Sequence, residues 1–569
     1  MERSQKNRIS ILFDRDHLKV TLSVFILIFC EFFFFRNIIF NDRMMGDLGD
    51  GRLTMLLAEH WFDSICGRDS LLDLKMLYPL KDTLGFTDMF LGFGIIHSVF
   101  RFFGLSIYAS YKITIILFHF LGTFSLFYLL SKKLNVRAEY ALICVCAWSF
   151  SVTYATQLIH PQNSAISLSI VFAIFAYSFF ENFNDKKARI KYGLISIVVY
   201  MLILYTAWYT AFFTALFTLF FLIAFLFVSS YRNKDAFNRI KVFFTTLKGE
   251  IFIYICPAIL LMIPFAFCEY KAMEAFGSGA SFDQIISFYM PDILDVFYVS
   301  GTGSIQGKLL SKLYLDTRSI TYEVAQGYNL ILILLMLFAV YRYFRIEREK
   351  RNICISSLLI TVMVSILSCV RLTTNNVSLW WIVFYLVPGA KAVRAISRFL
   401  FFICPAFATV TALMLDRSVG SDKKDAKDRK DKADLKTIIL LTVLFIFVFI
   451  FNIKSDGISS GYTSAECTAF LNEVPAPPED TEAFYITSDN KKSDIEDVIL
   501  QMDAFLIADH YDIMTINGYA GKPPLGWGDI ERPFDKGYEE AALKWLKDHD
   551  IKGAYRYDKP TKEWIKITY

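Results

Sequence analysis

Runs of apolar residues, broken by short basic or glycine-rich stretches, recur along the chain as far as about residue 454. A helix needs about 20 such residues to cross the ~30 Å hydrocarbon layer of a bilayer. The first run, Leu18 to Phe40, follows Arg3, Lys6, Arg8, Arg15 and Lys19 and has no small-residue cleavage site. It predicts a retained helix whose N-terminus lies in the cytoplasm. Further spans are predicted at 106–130, 140–158, 164–180, 192–209, 211–228, 251–268, 327–343, 353–370, 396–415 and 435–451. The apolar stretch 88–104 is short and interrupted by Arg101, so it reads as a helix lying in the interface. With that choice Lys132, Lys133 and Arg137, the DKKARIK run and RYFRIEREKR all fall on the cytoplasmic side. The pattern is that of a polytopic α-helical membrane protein with about eleven transmembrane helices.

The same alternation divides the chain. Residues 1–454 form the transmembrane domain, with a first external loop at 41–105 and a second at 269–325. The mixed-charge, low-complexity tract within 416–435 reads as a solvated cytoplasmic loop. From 455 to 569 strand-like runs (AFYITSD, DIMTING, GAYRY, WIKITY) alternate with helical ones (IEDVILQMDAFLIA, YEEAALKWLK), which predicts a small extracytoplasmic α/β domain.

Composition agrees: 55% hydrophobic and 17% aromatic residues are far from the make-up of a soluble domain. A net charge of +4 over 569 residues leaves no nucleic-acid footprint. Most of the ten cysteines sit in apolar runs, and no CxxC or Cys/His spacing of a zinc or redox site is present.

Three external stretches carry the unusual polar groups. In GDLGDGRLTMLLAEH, Asp47 and Asp50 lie in a glycine-rich turn, with Arg52, Glu59 and His60 close behind. Carboxylates are too costly to bury in lipid, so this turn belongs outside the membrane, where an acid can take up a proton or help to hold a cation. The QLIHPQ turn brings Gln157 and His160 to the same side, whereas His97 and His119 read as satisfied core histidines. In KAVRAISRF, Arg394 and Arg398 are four apart, which predicts one helical face with Lys391 a turn earlier. That face would either snorkel to lipid headgroups or grip a phosphate in two-point fashion. No P-loop, GxSxG, HExxH or Rossmann fingerprint competes.

Taken in order, GDLGDGR, YPLKDTLGFTD (78–88), ATQLIHPQ (155–162), VPGAKAVRAISRF (387–399) and the tail loop NGYAGKPPLGW resemble the GT-C superfamily of membrane glycosyltransferases. More narrowly they resemble its bacterial branch that includes the YfhO-like membrane proteins. The resemblance implies a sugar donor on a polyprenyl phosphate, an extracytoplasmic glycan, lipid or protein acceptor, and inversion at the anomeric carbon in the plasma membrane. It implies Asp50 or Asp47 as general base, with Asp50 favoured, and Arg394, Arg398 and Lys391 on the donor phosphate. Glu59, His60, His160, Gln157 and Arg52 are candidate substrate contacts. Some members need a divalent metal ion, for which Asp47, Glu59 and His160 are the ligands at hand; others need none, so no ion is assigned. QLIHPQ stands where oligosaccharyltransferases carry a paired DxD, which puts transfer to asparagine in doubt. A flippase or transporter for lipid-linked glycans, or a non-catalytic scaffold of this fold, are the competing readings. A transporter calls for polar residues deep in several spans, whereas here they gather in the outer loops.

Overall fold

The computed structural model describes residues 15–232, 236–274, 281–299, 304–314, 323–324, 326–372, 377–420, 443, 461–489, 495–521 and 523–568. Among them, seven helices are long and apolar enough to cross a membrane: Ile107–Lys133, Ala138–Gln157, Pro161–Glu181, Lys186–Thr206, Trp208–Arg232, Ile251–Ala272 and Arg398–Arg417. Among the described residues the expected count of eleven is not confirmed. The stretch 435–451 lies almost wholly outside the described residues, and the first apolar run is a helix over Arg15–Phe34. Two other expected spans are helices of only 16 residues, Leu330–Arg345 and Ile353–Ser368. At 1.5 Å per residue each reaches about 24 Å, short of the hydrocarbon thickness. Their starts are fixed by capping, which hydropathy does not register: the side chains of Asn329 and Asn352 accept hydrogen bonds from the amides of Ile331 and Ile355.

The segment expected to be the first external loop is more ordered than a loop. Its turn leads directly into a helix, Asp50–Ile65, in which every residue from Gly51 to Asp63 is buried. The turn closes because Gly46 takes a positive φ of 81° and because Gly51 runs against it; a Cβ on Gly51 would sit 2.6 Å from the Met45 carbonyl oxygen. Asp47 Oδ1 accepts the amides of Gly49 and Gly51 at 3.0 and 3.3 Å, satisfying donors that the helix start leaves free. The helix packs on the short apolar helix Leu91–Phe102. Glu59 is held there by His97 Nε2 at 2.7 Å and by Arg101 in a two-point contact.

The C-terminal segment forms a four-stranded sheet in the order β2-β1-β3-β4, with β1 Ala483–Thr487, β2 Met514–Thr515, β3 Ala554–Asp558 and β4 Glu563–Lys566. β1 runs parallel to β2 and β3, while β3 and β4 are antiparallel. The helix Ile495–Tyr511 makes the crossover from β1 to β2. The sheet docks on the segment before Leu91 through main chain: the Thr515 amide donates to Lys75 O, Leu77 to Asn517 O and Tyr78 to Thr515 O, each at 3.0 Å. Buried charge fixes the same contact, since Arg52 Nη1 meets Asp503 Oδ1 at 2.5 Å and Lys559 reaches the other Asp503 oxygen at 2.7 Å.

Removing one member of that pair strands the other in a dry interface. Asp503→Ala should destabilise the protein by about 3–5 kcal/mol, read as a lower thermal midpoint in detergent and faster proteolysis of the C-terminal domain. The double change Arg52→Met with Asp503→Leu should recover most of the loss; no difference between single and double variants would show that the pair does not hold the domain.

Candidate active site

Where the turn of the first loop meets the QLIHPQ turn, four charged side chains join in series. Asp50, the first residue of its helix, receives His160 Nδ1 at 2.5 Å and Gln162 Nε2 at 2.9 Å, both on Oδ2. The other ring nitrogen of His160, Nε2, lies 3.1 Å from Glu323 Oε1. Glu323 is gripped in turn by Arg398, whose Nη2 and Nε reach its two oxygens at 2.7 and 3.2 Å. Negative and positive groups thus alternate from the first loop, through the hairpin turn and the second loop, to the start of the helix Arg398–Gly420.

Local sequence explains how each arrives. Pro161 disfavours a helical backbone at His160, which sits at φ −106°, ψ 88°, leaving the ring outside both flanking helices. Pro161 also packs on the Gly46 turn: a Cβ on Gly46 would stand 2.8 Å from its ring. Asn163 Nδ2 donates to the carbonyl and side-chain oxygens of Gln157 and braces the turn from behind. Arg398 opens a helix that packs against Ala138–Ser149, Leu330–Arg345 and Ile353–Ser368, and so is brought to the mouth of the His160 hairpin.

These surroundings set the charges. Burial alone would raise the Asp50 carboxyl, but His160, Arg398 and Gln162 hold it down to about 2. Asp47 is raised, by burial first and then by the charge of Asp50. Burial likewise opposes the ionised form of Glu323, and the charge of Arg398 with the His160 contact overrides it, lowering its pKa. For His160, burial and Arg398 work against protonation, yet the bonds to Asp50 and Glu323 raise it to about 9. At neutral pH the site therefore holds two carboxylates, an imidazolium and a guanidinium.

Of the residues marked from sequence, Asp50, His160 and Arg398 meet here, and Asp47 stands next to them as the brace of the turn. Others serve elsewhere. Glu59 is spent on His97 and Arg101, Arg52 on Asp503, and Gln157 on Asn163. His60 stays within its own loop, with Nε2 3.3 Å from Leu71 O and Nδ1 3.6 Å from Asp69. Asp47, Glu59 and His160 do not form one ligand set. The shared helical face of Arg394 and Arg398 is also not formed, because the helix begins only at Arg398. Val393 is extended at ψ 105° after the positive-φ Gly389, so Arg394 lies on irregular chain. Its amide donates to the Tyr209 hydroxyl at 2.9 Å while its side chain is exposed, as is Lys391.

Three contributors escaped the sequence reading. Glu323 is a lone acid in RSITYEVAQGY, ahead of the Gly327 that leads into the next helix, and that isolation among apolar neighbours was its only signal. Gln162 stood inside the marked turn without being singled out. Tyr519 comes from the glycine-rich tail loop; its hydroxyl is pushed up by burial and by the charge and hydrogen bond of Asp50, and its ring lies 3.9 Å from the Cβ position of Gly49.

No family model matches the chain, and no curated protein matches it. Solved structures do. The apo oligosaccharyltransferase of Archaeoglobus fulgidus aligns with 96% of this chain and 70% of its own, at 12% identity and a TM-score of 0.56. The same archaeal enzyme, AglB, in complex with an inhibitory peptide and a dolichol-phosphate aligns over the same shares at 12% identity and TM-score 0.52. The fold is similar to that of oligosaccharyltransferases. Among the described residues that fold comprises seven helices long and apolar enough to cross a membrane and a small C-terminal sheet.

A third structure of that enzyme, at 13% identity and TM-score 0.51 over 95% of this chain and 67% of its own, is a complex with Zn and sulfate. Asp50, His160 and Glu323 are of the residue types that hold such an ion, and in this structure they bond to one another. Among the described residues no three His, Cys, Asp or Glu side chains converge as a metal group.

The charge pattern carries a pH signature. His160 is raised above its ordinary 6.5, so the stability it contributes is complete below pH 6.5 and is lost as the pH rises through about 9. Asp50 is held below its ordinary 3.8, so its contribution is present above pH 3.8 and is lost toward about 2. The thermal midpoint should decline between pH 6.5 and about 9 by an amount that His160→Gln abolishes; an unchanged decline in the variant would place the titrating group elsewhere.

Proposed function

We propose that this chain is an integral-membrane glycosyltransferase of the plasma membrane. It moves a sugar from a polyprenyl-phosphate-linked donor to an extracytoplasmic glycan, lipid or protein acceptor, with inversion. The observation that carries the reading is the series Asp50–His160–Glu323–Arg398, which puts an ionised acid and a fixed guanidinium in one site although they are far apart in sequence. The complex of AglB with a peptide and a dolichol-phosphate supports a lipid-linked donor and a separate acceptor in general terms. The narrower likeness to YfhO-like proteins rests on the sequence motifs alone.

In the proposed reaction an acceptor hydroxyl is positioned by Asp50. Its oxygen bonds to the anomeric carbon as the bond from that carbon to the phosphate oxygen breaks, and the hydroxyl proton passes to Asp50. An acid held near 2 is a weak base in the resting site. Its work is to orient the hydroxyl early and take the proton late, once the oxygen has become acidic through bond formation. The electron pair leaves on the lipid phosphate. Arg398 keeps donors beyond the two that Glu323 occupies, and the exposed Arg394 and Lys391 lie just before it in the chain. A preorganised cation at the leaving oxygen stabilises charge as it develops.

On this reading the N-terminus is cytoplasmic and the tail domain extracytoplasmic, with Tyr519 of that domain beside the general base. A transport path is less well supported. The buried polar pair Glu31 and His119, 2.8 Å apart, is walled by the rings of Phe34, Phe35, Phe150 and Tyr154.

Asp50→Asn, checked for normal membrane insertion, should lose at least about 10²-fold in transfer to cell-envelope glycan. Full activity in both Asp47→Asn and Asp50→Asn excludes the assignment, and movement of lipid-linked glycan across liposomes without product favours the transporter.

A further inference from the structure

Asp88 closes the motif YPLKDTLGFTD, and the transfer chemistry above leaves it without a task. Its Oδ1 accepts the amide of Trp208 at 2.7 Å, where the helix Trp208–Arg232 begins. The chain after it is tied down: the Trp61 indole donates to Met89 O at 2.6 Å, and the amides of Phe90 and Gly92 meet the carbonyl and hydroxyl oxygens of Thr206 at 3.3 and 3.0 Å. Capping a helix takes one oxygen, and Asn or Ser serves as well as Asp. Among the described residues the second oxygen, Oδ2, accepts no hydrogen bond. Burial pushes the carboxyl up to about 6, against the Trp208 bond and the charge of Arg398, with Glu269 and Asp50 adding to the rise. Yet Asp88 keeps part of its surface accessible, as do Trp208, Tyr209, Asp50 and Arg398. A desolvated acid with an open edge and a spare oxygen lies in a recess, and it feels the charges of Arg398 and Asp50 there.

The helix that Asp88 caps begins with two aromatic residues. Trp208 stacks on Phe212 with ring centroids 5.5 Å apart, and Gly389 runs close by, its Cβ position 3.4 Å from the indole. Tyr209 lies under the Arg398 guanidinium, 5.9 Å from its ring centroid, and its hydroxyl accepts the Arg394 amide. The acid, the rings and the cation that faces the phosphate are thus joined through one helix start. In the transfer reaction the anomeric carbon lies between the acceptor at Asp50 and the phosphate at Arg398, so the rest of the sugar ring extends to one side of that line. Asp88 neighbours both ends of it. Its Oδ2 can take one hydroxyl and the second lone pair of Oδ1 an adjacent one, while an aromatic ring covers the apolar face of the sugar.

We propose that Asp88, with the rings of Trp208 and Tyr209, forms the subsite for the transferred sugar: its carboxylate accepts hydrogen bonds from adjacent hydroxyls of an uncharged sugar. A sugar that carries its own carboxylate is disfavoured, because two like charges in one recess repel. The inference rests on the glycosyl-transfer reading and deepens it, since the subsite decides which sugar is moved.

The test uses the full chain in lipid nanodiscs and measures binding of farnesyl phosphate, alone and carrying glucose, galactose, mannose, N-acetylglucosamine or glucuronic acid. The contribution of the sugar is the ratio of affinities with and without it, and farnesyl phosphate alone reports the fold and the phosphate contact. Expected is a gain of about 10-fold for at least one uncharged sugar, and none for glucuronic acid. Asp88→Asn, which keeps an oxygen for the Trp208 amide, should remove that gain and leave both the thermal midpoint and the affinity for farnesyl phosphate unchanged. A gain that survives in Asp88→Asn, no gain from any sugar, or tightest binding of glucuronic acid overturns the inference. Failure of farnesyl phosphate itself to bind removes the transfer reading and the subsite with it. Full product with Asp50→Asn removes the transfer step alone, because the sugar gain at Asp88 is measured without turnover.

Discussion

Charge taken out of water must be met by opposite charge or by hydrogen bonds, or the fold pays several kcal/mol for each uncompensated group. At the centre of this molecule that requirement is satisfied only collectively. Asp50 is stable as an anion because His160 is a cation, His160 is a cation because Glu323 is an anion, and Glu323 is an anion because Arg398 faces it. Each group comes from a different stretch of chain, so the series also works as a set of clamps. It joins the Asp50 turn, the His160 hairpin, the stretch that carries Glu323 and the helix Arg398–Gly420 into one site.

The surrounding elements keep those clamps in register. Packing of Gly46 on Pro161 sets how closely the two turns approach, and the buried helix from Asp50 to Ile65 anchors the first of them. The tail domain secures that helix from the other side through Arg52 and Asp503 and through main-chain pairing at Lys75 to Tyr78. It also brings Tyr519 to Asp50. The domain is therefore part of the wall of the site.

The likeness to the archaeal oligosaccharyltransferase is one of fold, at 12% identity, and the chemistry has to be argued from the side chains. An imidazole flanked on both edges by carboxylates links the acids of two separate stretches of chain through one ring.

The hydrophobic pattern alone determined that the chain is a helical membrane protein followed by an α/β segment, because lipid demands long apolar runs and strands show their own short period. It also marked Asp50, His160 and Arg398, since a carboxylate, a histidine before proline and an arginine at the rim of a span are each expensive or unusual where they stand. Tertiary structure decided the rest. Glu59, His60 and Arg52 carry chemistry as apt as that of Asp50, but other partners consume them: His97 and Arg101 take Glu59, residues of its own loop take His60, and Asp503 takes Arg52. Glu323 and Tyr519 look ordinary in sequence and become part of the site only because the second loop and the tail fold back onto the first turn. Pairing between residues hundreds of positions apart leaves no periodic trace, and it is that pairing which separates a functional charge from a structural one.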